Sequence, residues 1–409
     1  MRGELVEALR QLVRIPSVTG NEGPAQEYVR SLFEELDLEV ISFEADRDEV
    51  KRHQAYVDSQ LDYGGRPNVI GLLKGDPRKR SIILNGHVDT ATGEPVEEWE
   101  RDPWGGTVEG NRLYGRGALD MKGGLIANIF ALKTLIKLGL DPGGTVTLQS
   151  VIEEEAGGGG GTLACFLKGY TADGMIVTEP YPYICIARSG LIYFRIKVEG
   201  KTAHGGRAHH GVNAIGKMLK LYQALEKLDQ ERSTAVKFPL IEKWSGRSCN
   251  LSISRFSAGS WLPNTIAGNA EMEGRVSFVP GENRQDIRRQ IETVVQEVAA
   301  GDPWLRDHPP LVEYFSFQTD PEENDLADPF VKTVISSASR IMGGEVTVEG
   351  RPSAADTRFS KYFGFPALSI GPDGDKPHGA DEYVDLDSVE TITKLLALAV
   401  LSWCGGDKS

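Results

Sequence analysis

Between residues 69 and 200, short apolar runs alternate with helical stretches, and this alternation narrows the choice of fold more than any other feature of the chain. "SIILNGHVDT" is a brief apolar run ending in polar residues, as a strand buried on both faces does. "GGLIANIFALKTLIKLG" reads as a helix closed by Gly139, with Pro142 soon after. "GTVTLQSVIEEE" reads as a strand, "TLACFLKGY" as a short helix and "ADGMIVTEP" as a strand again. This order predicts an α/β architecture: a mainly parallel sheet with helices on both faces. In such sheets ligands bind beyond the carboxyl ends of the strands. Here those ends carry His87 and Asp89, Glu153 to Glu155, and Glu179.

From about 188 to 318 the texture changes. "LIYFRIKVEG", "SCNLSISRFSAG" and "NAEMEGRVSFVP" alternate apolar with polar residues, and two helical stretches separate them. That pattern predicts an α+β unit around an antiparallel sheet, inserted into the first domain. The expected division is therefore 1–187 with 319–409 as one discontinuous domain, and 188–318 as the insert. A length of 409 residues accommodates two or three domains. The N-terminal stretch predicts a short amphipathic helix with Leu5, Leu9, Leu12 and Val13 on one stripe, and no signal peptide. The apolar stretch "LLALAVLSW" is too short to span a membrane, which needs roughly 18–20 residues, and reads as a buried helix. Residues 44–66 are polar and read as a long surface loop.

The formal net charge of −14 argues against nucleic acid or an anionic membrane as the main partner. Cys165, Cys185, Cys249 and Cys404 are scattered without CxxC spacing and read as reduced, mostly buried thiols of a cytoplasmic protein.

The stretch "VIEEEAGGGGGT" sets three adjacent carboxylates beside five glycines, which is costly in repulsion and in chain entropy. By itself it reads better as a solvated surface loop. Likewise His87 and Asp89, two apart on a strand, share a face. Asp120, in "GRGALDMKGG", could be a helix N-cap; a dinucleotide fingerprint would need glycine at that position. His378 lies in "KPHGADEY". What shifts the balance is the company these residues keep, all at strand ends or in glycine-rich turns. Two histidines and several carboxylates are the usual ligand set for a pair of divalent cations. The charges also balance. Two such ions bring four positive charges, Asp120, Glu155 and Glu179 bring three negative ones, and one hydroxide completes the set. Glu154, left over, can take a proton from the water.

With these residues in view the chain resembles the M20 family of metallopeptidases and amidohydrolases, and within it the acetylornithine deacetylase and succinyl-diaminopimelate desuccinylase branch. The matching stretches are "NGHVDT", "GRGALDMKGG", "VIEEEAGGGGGT", "VTEP", "GKTAHGG", "GRVSFVPGE" and "PHGADEYVDLDS", which span nearly the whole chain. The resemblance implies a two-metal catalytic domain interrupted by a smaller lid that dimerises. It implies that His87 and Glu179 bind one metal, Glu155 and His378 the other, and that Asp120 bridges them. Asp89 would orient His87, Glu154 would be the general base, and the Asp120–Met121 peptide would be cis. His204 would reach from the lid into the partner subunit's site to stabilise the oxyanion. Asn264, Arg275 and Arg358 would handle the substrate, arginine forks suiting a carboxylate. Lys122 and Asp356 would support the site, whereas His53, His209, His210 and His308 match nothing and read as surface residues.

The function this implies is hydrolysis of the amide of an N-acylated amino acid or similar small amide. The metal would be zinc, with cobalt and manganese as alternatives, and the substrate would carry a carboxylate. The protein would be a homodimer. A dipeptidase or carboxypeptidase of the same family uses the same chemistry and stays open at this point. A two-metal phosphoesterase and a non-catalytic binding protein are more distant. The first fits the "GKTAHGG" lid and a glutamate base less well, and the second would be expected to lack a base or a ligand.

Overall fold

The computed structural model describes residues 1–260 and 262–406. It divides into two compact units, Met1–Ile186 with Asn324–Glu349 and Ala355–Ser409, and Ala187–Glu323 with Gly350–Ala354. The short segment Gly350–Ala354 thus groups with the second unit.

In the first unit six neighbouring strands run in the order Glu39–Phe43, Asn68–Leu73, Val146–Val151, Ile82–His87, Met175–Val177 and Ala367–Ser369. The last three pairings are parallel and the first two antiparallel. Every residue of Ile82–His87 and of Val146–Val151 is buried, which for the first of them matches its reading as a strand covered on both faces. On one face Ile83, Met175 and Val177 pack with Phe166 and Phe359. On the opposite pleat Gly86 lies against Leu125 of the helix Gly123–Leu138, where a Cβ would stand 3.3 Å from the Leu125 side chain. That helix ends at Gly139 in the left-handed conformation (φ 66°), as its sequence predicts. It packs against Arg2–Val13 and the C-terminal helix Leu386–Cys404. The N-terminal helix buries Leu5, Leu9, Leu12 and Val13, the stripe read from the sequence. The four cysteines are free and buried.

The second unit holds a four-stranded antiparallel sheet in the order Leu251–Ala258, Asn269–Phe278, Gly190–Glu199 and Leu311–Thr319. Its inward positions Ile192, Phe194, Ile196 and Val198 meet Met218, Leu221 and Leu225 of the helix Ala214–Ala235, and Ile287, Ile291 and Val295 of Arg284–Ala300. The period of two on the strand and of three to four on the helices is what one-sided burial requires.

Two readings need correction. Residues 44–66 are not simply a surface loop. They contain the one-turn helix Arg47–Val50, capped by Asp46, and a small cluster in which Ala45, Val50 and Tyr63 pack with Ile152 and Ala164. Arg66 is buried in an ion pair with Glu22 at 2.6 Å. His53 is not a plain surface residue either. Its ring meets Tyr362 edge-on at 5.1 Å and stacks on Phe363 at 5.8 Å. A polar composition conceals this because the few apolar residues lack a regular period.

Candidate active site

His87 is the last residue of its strand and is buried. Its Nδ1 lies 2.9 Å from the main-chain carbonyl of Asp89. A carbonyl only accepts, so Nδ1 carries the proton and Nε2 offers a lone pair when the ring is neutral. That Nε2 stands 3.3 Å from Asp120 Oδ1 and 4.0 Å from Glu154 Oε2. Asp89 therefore orients His87 through its backbone. Its carboxylate, 3.6 Å from Nδ1, is otherwise engaged. It accepts the N–H groups of Glu154 (3.1 Å) and Glu155 (3.2 Å) and the Thr19 hydroxyl (2.9 Å). Asp89 thus ties the end of one parallel strand to the turn that follows its neighbour, a role that the sequence reading missed.

Asp120 sits just before the helix Gly123–Leu138, after a left-handed Gly117. The Asp120–Met121 peptide is cis, as the resemblance implies. The other carboxylate oxygen, Oδ2, lies 3.5 Å from His378 Nε2, which also approaches Glu155 Oε1 at 2.9 Å. One donor atom from each of Asp120, Glu155 and His378 falls within 4.8 Å of the others. Asp120 therefore presents one oxygen to each of two imidazoles.

The glutamates beside the glycine run divide the work. The strand stops at Val151, Glu153 turns the chain in the left-handed region (φ 68°), and Glu154–Ala156 form a single 3₁₀ turn. Glu154 and Glu155 face the histidines. Glu153 is buried and lies against Gly160, where a Cβ would stand 2.5 Å from Oε2. Two glycines are required outright. Gly158 (φ 62°) has the Asp356 carboxylate 2.3 Å from where a Cβ would be, and at Gly161 the carbonyl of Ile152 would be 2.1 Å away. Asp356 is in turn fixed by the Thr162 hydroxyl at 2.6 Å.

Charge is crowded here. Burial, and next the charge of Glu179, push the Glu154 carboxyl well above its ordinary value. Hydrogen bonds that His378 donates to the Asp120 and Glu155 carboxylates raise its imidazole to about 10. Burial opposes ionisation of Asp120, yet the two imidazoles hold its carboxyl well below the usual carboxylate range. The lone pairs that these carboxylates and imidazoles direct at one another would equally serve a cation. Asp120, Glu155, Glu179 and the two histidines fit divalent metal by donor chemistry. Glu179 follows the strand Met175–Val177.

The remaining residues make other contacts. Lys122 is buried and donates to the carbonyls of Leu12 (3.0 Å) and Ile15 (2.9 Å), locking the end of the first helix to the Asp120 turn. Arg358 is 3% exposed. Its guanidinium donates to the carbonyls of Gly157 and Ala355, so in this arrangement it braces the glycine loop rather than offering an open fork. His204, Asn264 and Arg275 belong to the second unit. Arg275 donates to the carbonyl of Pro352 at 2.9 Å. His204 and Asn264 are neighbours: Gly205 N–H donates to the Asn264 carbonyl, and His204 bridges Thr265. Gly206 N–H donates to His204 Nδ1 at 3.1 Å, so in the neutral ring Nε2 bears the proton and is a donor.

A model of peptidase family M20/M25/M40 matches residues 83–402. The chain belongs to this family. Among curated relatives of this M20 chain is N-formyl-4-amino-5-aminomethyl-2-methylpyrimidine deformylase of Halalkalibacterium halodurans. It is 29% identical over 98% of this chain and 94% of its own length. Succinyl-diaminopimelate desuccinylase of Methylobacterium nodulans is 26% identical over 97% of this chain and 95% of its own. Among solved structures, a tripeptidase of Staphylococcus aureus shares the fold, with a TM-score of 0.77 and 19% identity over 99% of each chain. The chain is a hydrolase of the M20 family that acts on amide bonds. Among the described residues no helix is long and apolar enough to cross a membrane.

Proposed function

We propose that this M20 hydrolase is a deacylase that removes a small acyl group from the nitrogen of an amino acid or similar small amine. The observation that carries the reading is Asp120, whose two oxygens each face one imidazole, His87 at 3.3 Å and His378 at 3.5 Å. In this reading His87 and Glu179 hold one divalent ion, Glu155 and His378 the second, and Asp120 lies between. Donors of mixed imidazole and carboxylate type favour zinc, with cobalt and manganese as substitutes. When bound, such a pair supplies Lewis acidity and makes water a nucleophile at neutral pH.

Glu154 is the general base. It lies beside His87, it is not needed as a ligand, and burial raises its carboxyl above the ordinary value, as suits a group that takes up a proton. It takes a proton from the attacking water and returns it to the leaving nitrogen. His204, with a donor Nε2, is assigned to the oxyanion, with Asn264 beside it. Arg275 is assigned to a substrate carboxylate, and Arg358 acts through the glycine loop. We read 188–318 as a lid that dimerises and 1–187 with 319–409 as the catalytic domain. A cytoplasmic location suits the four free thiols.

Deacylation is favoured over dipeptide cleavage because the relatives that match almost end to end are named for removing formyl and succinyl groups. The test is a hydrolysis screen of the metal-reconstituted protein with N-formyl, N-acetyl and N-succinyl amino acids against dipeptides. Metal content is measured in the same preparation. Turnover of an N-acyl series with close to two ions per chain is expected. Cleavage of dipeptides alone, or full activity with one tight ion, overturns the reading.

A further inference from the structure

Arg116 and Glu382 form an ion pair at 2.6 Å, with 2% and 0% exposure. A buried pair of this kind often adds little net stability, since desolvation offsets the attraction. Its neighbours indicate another use. Glu382 Oε1 accepts the N–H groups of Leu119 (3.0 Å) and Asp120 (3.1 Å). Its Oε2 accepts Gly117 N–H at 3.0 Å together with Arg116 Nη1. Arg116 Nη2 donates to the His378 carbonyl at 2.9 Å, and Nε to the Thr92 carbonyl at 2.8 Å. The pair is thus bonded to the main chain of both Asp120 and His378. Neither residue sits within a regular helix or strand. Asp120 has φ −114° and ψ 93°, and His378 has φ 61°. Nothing in local secondary structure sets where these two side chains stand.

We infer that Arg116 and Glu382 are positioning residues, which act through the Asp120 and His378 main chain to hold the carboxylate and the imidazole at the spacing that captures a divalent cation. The fork of Arg116 is essential to this role, because one end must hold Glu382 while the other holds the His378 carbonyl. A lysine keeps the charge but cannot do both. The inference rests on the metal reading proposed above.

The test is Zn²⁺ titration of the metal-free wild-type chain, Glu382→Gln and Arg116→Lys against a chromogenic chelator, with thermal unfolding recorded for each. Expected is a loss of about 10–100-fold in cation affinity in both variants, the usual size for supporting partners of a metal ligand. At saturating Zn²⁺, kcat should fall while KM stays near wild type. Glu382→Asp keeps the charge one methylene short, and it should fall between wild type and Glu382→Gln. A folded variant with lowered melting temperature but wild-type affinity means that the pair is structural only and overturns the inference. Wild-type protein that binds no cation overturns the metal reading and this inference together. Amide exchange in the wild type needs no variant. Zn²⁺ should slow exchange at Gly117, Leu119 and Asp120, and unchanged rates there also overturn the proposal.

Discussion

Glu154 and Glu155 are adjacent in the chain and face different histidines because the backbone turns between them. Asp89 takes an N–H from each, so their directions are set by one carboxylate at 3.1 and 3.2 Å. Glu155 meets His378, and Glu154 remains beside His87 without displacing Asp120. Glu154→Gln keeps the shape and removes the proposed base. It should retain its cations and lose about 10²–10⁴ in kcat, the usual contribution of a positioned base. Glu153→Gln should keep most of its activity, because Glu153 faces Gly160 rather than the histidines. Steady-state kinetics with metal analysis of both variants checks this. An active Glu154→Gln beside an inactive Glu153→Gln would move the base by one residue.

At the scale of elements, caps and cross-links hold the second unit's layers together. Asp302 accepts the N–H groups of Trp304 (3.0 Å) and Leu305 (3.2 Å) at the start of Pro303–Asp307. It also receives Lys217 at 2.8 Å and Lys220 at 2.7 Å from the helix Ala214–Ala235. Burial works against its ionisation, but the two ammonium groups and the two N–H donors prevail and hold its pKa below the ordinary 3.8. A depressed carboxylate contributes stability that is present above the unfolded value and lost as pH falls. Asp302→Ala should therefore cost about 1–2 kcal/mol at pH 7, the range of a lost helix cap. The gap from wild type should narrow as pH drops below about 4. Denaturant unfolding at pH 7 and pH 3 measures it, and a gap that does not change with pH would assign the effect to packing.

At the scale of the whole molecule, the question is whether one chain makes one site. His204 lies in the second unit and the candidate cation donors Asp120, Glu155 and His378 in the first. In the proposed reading, a dimer brings His204 to the neighbouring chain. His204→Ala should lower kcat by about 10²–10³, the cost of one oxyanion donor, with cation content intact. Mixing inactive Glu154→Gln chains with inactive His204→Ala chains distinguishes the arrangements. In a shared site, one site of each heterodimer keeps both residues and activity partly returns. Proven subunit exchange without recovery would place His204 in its own chain's site or in none.

The sequence by itself determined the layers of this protein. The short apolar run Ile82–Leu84 opened a strand buried on both faces, Ile82–His87. Alternating runs became the antiparallel sheet of the second unit, for periodicity records how many faces a segment buries. The types of the candidate cation donors, and their places at strand ends and in turns, could be picked out as well. Tertiary structure alone decided how those donors meet. Glu155 and His378 are 223 positions apart, and nothing local to either brings them to 2.9 Å. It also turned Glu153 inward, assigned the orientation of His87 to the Asp89 carbonyl rather than its carboxylate, and engaged Arg358 with the glycine loop. The physical reason is that such contacts run largely through main-chain N–H and C=O groups, which every residue carries and no side-chain pattern records.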